Sequence, residues 1–171
     1  MHDRPRVLTT SLVLLTAFVR PTDAGEVIER ILAVVQDRPV LLSEVRVVQE
    51  VQGRSAEQAL EALIDERLMF EQAARLPQSA VSEAEVDEQV AKLLADKPAL
   101  GERAAVADLR RLVRREAAIV KFVEFRFRPQ VRVAEDLPPE RREEEVRRAL
   151  DQRIDAWVKE LRAQAEVRYN K

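Results

Sequence analysis

Side chains that could carry catalysis are scarce in this sequence. The only histidine is His2, and the chain contains no cysteine. With one imidazole, in a segment predicted below to be removed, histidine triads, thiol catalysis and the usual zinc ligand sets are excluded. Ser43, Ser55 and Ser82 each precede a helical pattern, which explains them as helix caps rather than nucleophiles. We therefore predict a protein that is not an enzyme, with no catalytic residue, no metal ligand and no cofactor.

Acidic side chains offer the one remaining route to acid–base chemistry. Glu57, Glu61, Asp65 and Glu66 fall on what a helical period makes the polar face of a helix. Oppositely charged pairs spaced i,i+4 on such a face stabilise a helix by roughly 0.2–0.5 kcal/mol each. We interpret these carboxylates as solvated helix surface, and a hidden carboxylate dyad is the less favoured alternative.

Charges of both signs are interleaved along the chain. The sequence has 29 basic and 31 acidic residues, for a formal net charge of −2. A nucleic-acid groove needs a surplus of positive charge on one face. The arginine pairs at 110–111, 114–115 and 141–142 are therefore interpreted as solvated helix faces, and no nucleic-acid partner is expected.

The first 24 residues have the order of a secretory signal. The basic residues His2, Arg4 and Arg6 precede an apolar stretch at 7–19, and small residues lead to a cleavage site after Ala24. The apolar stretch is shorter than the roughly 20 residues that a membrane-spanning helix needs. We expect residues 1–24 to be a cleaved signal peptide and residues 25–171 to form one exported domain. Retention of the segment as a membrane anchor is the alternative.

Short strands are predicted at both ends of this domain. Apolar runs at 28–35 and 40–42 flank a four-residue polar turn at 36–39, a pattern typical of a β-hairpin. Pro39 has no N–H to donate, so it is expected in the turn or at the start of a strand. The alternating segment 166–169 predicts a third strand. Because its ladder groups need a partner, we expect this strand to join the N-terminal hairpin.

Five helices are predicted between these strands, because apolar residues recur at spacings of three and four. The helices are expected to begin after Ser43, Ser55 and Ser82, near Ala104, and at Pro138. The fourth has an apolar stripe of Val106, Leu109, Val113, Ala117, Val120 and Val123. The stripe of the last contains Val146, Leu150, Ile154, Trp157 and Leu161. The expected fold is mainly α, with five helices and a small N-terminal β-hairpin joined by a C-terminal strand.

Some large apolar side chains fall outside the predicted stripes. Met69 lies opposite the stripe of the second helix, and Phe122 and Phe125 fall outside that of the fourth. An exposed apolar surface on a soluble protein usually marks a binding site, and methionine adapts to varied partners. The candidate polypeptide-binding residues are Met69, Phe70, Phe122, Phe125 and Phe127. The alternative is that a second layer of the fold covers them.

Six short segments stand in an order that is specific when they are taken together. They are 31–37 (ILAVVQD), 42–45 (LSEV), 62–68 (ALIDERL), 81–87 (VSEAEVD), 155–162 (DAWVKELR) and 165–168 (AEVR). This order resembles the N-terminal chaperone domain of SurA-type periplasmic proteins over almost all of residues 25–171. The resemblance implies an ATP-independent periplasmic holdase for unfolded or partly folded polypeptides. It also implies that its clients are outer-membrane protein precursors.

Two features depart from that family. Gln36 stands where the family usually has asparagine in the hairpin turn. The six residues 134–139 stand where the family typically inserts prolyl isomerase domains, so isomerase activity is not expected. No stable membrane insertion is expected once the signal is removed. The alternative function is a non-catalytic docking or assembly partner of one envelope protein, or of a separately encoded isomerase.

Overall fold

The computed structural model of the protein describes residues 29–134 and 137–170, without the side chain of Arg103. These residues form six α-helices and one three-stranded sheet. The strands are β1 (Ile31–Val35), β2 (Arg38–Leu41) and β3 (Val167–Tyr169). The helices are α1 (Leu42–Gln52), α2 (Ala56–Ala73), α3 (Glu83–Asp96), α4 (Leu100–Arg103), α5 (Val106–Arg126) and α6 (Pro139–Gln164). The predicted signal peptide, residues 1–24, lies outside the described residues.

The mainly α fold with a small sheet is confirmed, and so is the partner of the C-terminal strand. The sheet is antiparallel, in the order β2-β1-β3. Ala33 lies opposite Tyr169, and Val35 lies opposite Val167. The last strand therefore fixes the end of α6 next to the first strand of the domain.

The turn of the hairpin is shorter than predicted. Only Gln36 and Asp37 form it, with φ angles of 45° and 66°. Two consecutive positive φ angles are typical of the tight turns whose twist matches paired strands. Arg38 and Pro39 already belong to β2, so the predicted four-residue turn was wrong. Pro39 is at the start of an edge strand, where a missing N–H is tolerated.

Two of the three predicted helix caps are confirmed. The Ser55 hydroxyl accepts a hydrogen bond from the Gln58 N–H at 3.2 Å, and the Ser82 hydroxyl accepts one from the Glu85 N–H at 3.3 Å. In each case the side chain three residues on also accepts from the serine N–H, which completes a capping box.

Ser43 does not cap the first helix, contrary to the prediction. Helix α1 begins at Leu42, two residues before the predicted start and directly after β2. The Glu44 carboxylate accepts a hydrogen bond from the Leu41 N–H at 3.1 Å, so an acidic side chain from inside the first turn satisfies that donor. Gly53, with a φ of 67°, ends the helix in the left-handed conformation that glycine favours.

The main hydrophobic core lies between the sheet, α1, α2 and the start of α5. Leu63, Ile64 and Leu109 are among its largest fully buried side chains. Leu100 closes one end of this core from α4, a single turn of helix that the sequence pattern did not reveal because it is only four residues long.

A smaller aromatic cluster attaches α6 to α5. The rings of Phe122 and Trp157 are stacked, with centroids 4.8 Å apart and planes at 12°. Phe127 meets Trp157 edge to face at 5.2 Å. Such ring pairs contribute about 0.5–1.5 kcal/mol beyond the area that they bury. This cluster positions the middle of α6.

The C-terminal part of α6 is held to α2 by Arg162. Its guanidinium donates to the Glu61 carboxylate at 2.8 Å, to the Glu61 carbonyl at 3.1 Å and to the Asp65 carboxylate. The Tyr169 hydroxyl donates to the same Glu61 carboxylate at 2.9 Å. Both anions favour the charged guanidinium and raise the pKa of Arg162. Helix α6 is therefore held near its C-terminal end by Arg162 and along its middle by apolar packing, in which Leu150 is buried against the aromatic cluster.

A buried network of charges joins α1, α2 and α5. The Arg115 Nε donates to Glu66 at 2.6 Å, and the Arg67 guanidinium donates to Glu44 at 2.5 Å. Arg115 also lies 3.6 Å from Glu44 and links the two pairs. Glu66 is 7% exposed, so its interpretation as solvated helix surface was wrong. Breaking such a pair leaves an uncompensated buried charge, which costs about 3–5 kcal/mol.

Glu66 gives the network a pH signature. Burial raises the pKa of its carboxyl to about 6, although Arg115 acts in the opposite direction. Because the folded state holds this proton more tightly than the unfolded state, the stabilisation is complete below about pH 4.5 and is lost as pH rises through 6. The loss amounts to roughly 2 kcal/mol. Glu66→Gln has no such proton to lose.

We predict that the unfolding free energy of wild type, minus that of Glu66→Gln, falls by roughly 2 kcal/mol between pH 4.5 and 7.5. Urea unfolding of both proteins at the two pH values measures this, and the titration of groups distant from Glu66 cancels in the difference. A difference that is constant, or that grows with pH, would show that Glu66 is not held protonated by burial.

Candidate functional site

Two open clefts lie along the same face of α6. The first, of about 790 Å³, is enclosed by α2, α5 and the C-terminal half of α6. The second, of about 820 Å³, lies between α5 and the N-terminal half of α6. Ile119, Val120 and Ile154 line both clefts. The two therefore form one elongated depression, which we call the α6 groove.

The floor of the α6 groove is apolar. Its centre is Val120, whose side chain is 60% exposed although it is a β-branched aliphatic residue in the middle of a helix. The other aliphatic and thioether side chains that line the groove are Ala62, Met69, Ile119, Val123, Val146, Leu150, Ile154 and Val158. A continuous apolar surface open to solvent is typical of a binding site.

The groove exists because α5 carries more apolar surface than its neighbours cover. Helices α2 and α3 cover the side of α5 that holds Leu109, Leu112 and Val113, which are buried. Val106 and Val120, predicted on the same buried stripe, are 50% and 60% exposed, so this part of the prediction was wrong. Within the described residues, α6 packs on Phe122 through Trp157 and leaves Val120, which points about 160° away from Phe122 around α5, exposed.

The rim of the groove is charged, with an acidic excess. Four acidic and three basic residues line the first cleft, and five acidic and three basic residues line the second. Several of these charges are already neutralised within the fold: Asp65 by Arg162, and Glu124 by Arg128.

Glu116 is a carboxylate that lies directly beside the floor of the groove. It is half-buried on α5, beside Ile119 and Val120, and accepts a hydrogen bond from the Gln52 side-chain amide at 3.1 Å. Burial raises the pKa of Glu116, and the Gln52 hydrogen bond and the positive charges of Arg115 and Arg54 offset part of this effect. In the described part of the chain Glu116 forms no ion pair.

The structure does not bring the five predicted binding residues together. Met69 lines the α6 groove. Phe122 and Phe127 are buried, each 7% exposed, so the expectation that they face outward was wrong; they belong to the aromatic cluster. Phe70 is half-buried against the same cluster, and Phe125 is 52% exposed but lines neither cleft.

Sequence reasoning missed the residues at the centre of the groove. Ile119, Val120, Ile154 and Val158 were assigned to core stripes or left unassigned. Ile119 and Val120 are consecutive and therefore point about 100° apart on a helix that has Phe122 and Val123 as well. Apolar residues around so wide an arc indicate that one side of the helix lacks a covering partner, and this signal was present in the sequence.

Two further properties hold for residues 29–134 and 137–170. No group of three or more histidine, cysteine, aspartate or glutamate side chains in them could hold a metal ion. None of their helices is both long enough and apolar enough to cross a membrane.

Comparison with protein-family models gives no match, and comparison with curated proteins gives none at a significant level. The resemblance to SurA-type domains therefore depends on the six segments quoted above. In the structure these segments supply β1, β3, the Ser82 cap, Trp157 and most of the buried charges, including Glu44 and Glu66. They concern the framework of the fold more than the floor of the groove.

The contrast between two phenylalanines on α5 tests the assignment of core and surface. We predict that Phe122→Ala lowers the free energy of unfolding by about 3–5 kcal/mol, because it removes a ring buried against Trp157 and Phe127. Phe125→Ala should change it by less than about 1 kcal/mol. Urea denaturation of the two variants measures both values, and equal losses would contradict the packing described here.

Proposed function

We propose that the protein is an ATP-independent periplasmic chaperone that holds unfolded or partly folded polypeptides in the α6 groove. Outer-membrane protein precursors are the proposed clients, and the chemistry is binding without catalysis. The observation that carries the proposal is the open apolar floor around Val120, which the protein's own helices leave uncovered. The predicted signal at 1–24 and the resemblance to SurA-type domains support the compartment and the client class.

The physical basis of holding is shallow burial of client side chains at several points. Each Å² of apolar surface removed from water contributes about 25 cal/mol. Ordering of the client chain opposes this gain, so the net affinity stays modest. Modest affinity suits a holdase, because the client must leave again without an energy source. The elongated shape of the groove favours a length of chain over a compact small molecule.

The apolar floor also fits tolerance of varied clients. Its lining consists of aliphatic side chains and Met69, with no described aromatic ring projecting into either cleft. Aliphatic and thioether contacts have little directional preference, so they accept many sequences. A dedicated docking partner of one envelope protein remains the alternative, and it would be distinguished by the number of clients that bind.

We predict that the protein suppresses aggregation of several unrelated denatured proteins in the absence of ATP. Val120→Gln should weaken client binding by about 1 kcal/mol, which is a roughly fivefold higher Kd, because it makes the centre of the floor polar. Light scattering during dilution from denaturant, with titration of a labelled client, measures both effects.

Phe125→Gln is the matched control. It replaces an equally exposed apolar residue on the same helix, but Phe125 lines neither cleft. The control should bind clients as wild type does. Loss of binding in Phe125→Gln with normal binding in Val120→Gln would move the client surface away from the groove. Suppression of a single protein among many would favour the docking partner.

A further inference from the structure

The charges around the α6 groove favour one class of polypeptide over others. Acidic residues outnumber basic residues in the lining of both clefts. Among the described residues, Glu116 and Asp155, on opposite walls of the first cleft, form no ion pair. Glu116 is the more important of the two, because it is half-buried beside the apolar floor.

The negative charge of Glu116 is only partly neutralised within the fold. Among the residues that the structure describes, its hydrogen bond comes from the neutral Gln52 amide at 3.1 Å. A cation delivered into the cleft would gain more from Glu116 than from a fully solvated carboxylate, because a less polar environment strengthens Coulomb interactions. Arg54 and Lys159 also line the cleft; neither forms an ion pair with Glu116, although the positive charge of Arg54 acts on it from a distance.

The apolar floor and the acidic walls act on adjacent residues of an incoming chain. Val120 and Met69 offer surface for an aliphatic or aromatic side chain, and Glu116 lies beside Val120 in the same cleft. A lysine or arginine next to an apolar residue could bury its methylene stem on the floor while its charged end reaches the carboxylate.

On the basis of the proposed function, we infer that the α6 groove selects polypeptide segments in which apolar residues are flanked by lysine or arginine. Segments with acidic flanks are disfavoured by repulsion from the same walls. Electrostatic selection of this kind changes which client binds rather than whether clients bind at all.

Three labelled peptides that share one apolar core and differ only in their flanks, lysine, serine or glutamate, test the inference. Fluorescence anisotropy with the full chain should show the lysine peptide binding roughly threefold to tenfold tighter than the glutamate peptide at low salt. Raising the salt from about 0.05 M to about 0.5 M should shrink this ratio, because the screening length shortens.

Two double variants, each lacking two negative charges, distinguish an effect of the groove from an effect of the protein's overall charge. Glu116→Gln with Asp155→Asn removes the two carboxylates of the first cleft that form no ion pair among the described residues, and should bring the Kd values of the three peptides closer together. Glu88→Gln with Glu160→Gln removes the same charge from exposed sites on α3 and α6 outside both clefts, and should keep the lysine preference.

Several results would overturn the inference: equal binding of all three peptides by wild type, tighter binding of the glutamate peptide, or an undiminished lysine preference in the groove variant. Measuring aggregation suppression with the same proteins distinguishes the charge selection from the proposed chaperone function. If suppression persists without charge preference, only the selection rule fails; if suppression is absent, the proposed function fails.

Discussion

Helix α6 is the element on which the groove depends, because it packs against α5 only from Val146 onwards and its first six residues are exposed. Trp157 stacks on Phe122, and five residues later Arg162 binds Glu61 and Asp65 of α2. The helix has 26 residues, so at about 1.5 Å of rise each it extends well beyond these anchors. Its N-terminal half packs against the aromatic cluster through Val146 and Leu150, but it leaves Val120 of α5 60% exposed. The groove is the direct consequence.

The framework beneath the groove is held by buried charge as well as by hydrophobic packing. Glu44, Glu66 and Arg115 are each less than a tenth exposed, and they join three helices. A buried ion pair is often no more stabilising than well-packed apolar residues, but it tolerates one geometry only. We interpret the network as fixing the register of α1, α2 and α5, so that the walls formed by α2 and α5 keep a defined separation. The apolar floor can then accept varied client sequences, while the helices that support it keep a fixed arrangement.

Much of the architecture could be predicted because local chemistry specifies it. The capping boxes at Ser55 and Ser82, the left-handed glycine at position 53 and the apolar periods are features of short segments, and each was found. The pairing of β3 with β1 was also predictable, since an isolated strand needs a partner. The predictions were wrong where the sequence allows two different local structures. Glu44 caps α1 in place of Ser43, and Gln36 and Asp37 adopt positive φ although neither is glycine.

The candidate site was less predictable than the fold. Which face of α5 is covered depends on where α6 docks, and that depends on aromatic contact between Phe122 and Trp157, which are 35 residues apart in sequence. A helical stripe identifies apolar residues but not the partner that buries them. Phe122, predicted outside the buried stripe, is therefore buried, and Val120, predicted on the buried stripe, is exposed. Glu66 was misassigned for a similar reason, because its burial depends on Arg115 from another helix.

The central claim is that a denatured client lies against Val120. The chain has no cysteine, so a single cysteine at position 120 can carry a photo-activated cross-linker, with the same label at exposed position 84 on α3 as a reference. The account predicts strong cross-linking to an unfolded outer-membrane protein from position 120 and little from position 84. Equal yields at both positions, or none at 120, would contradict it.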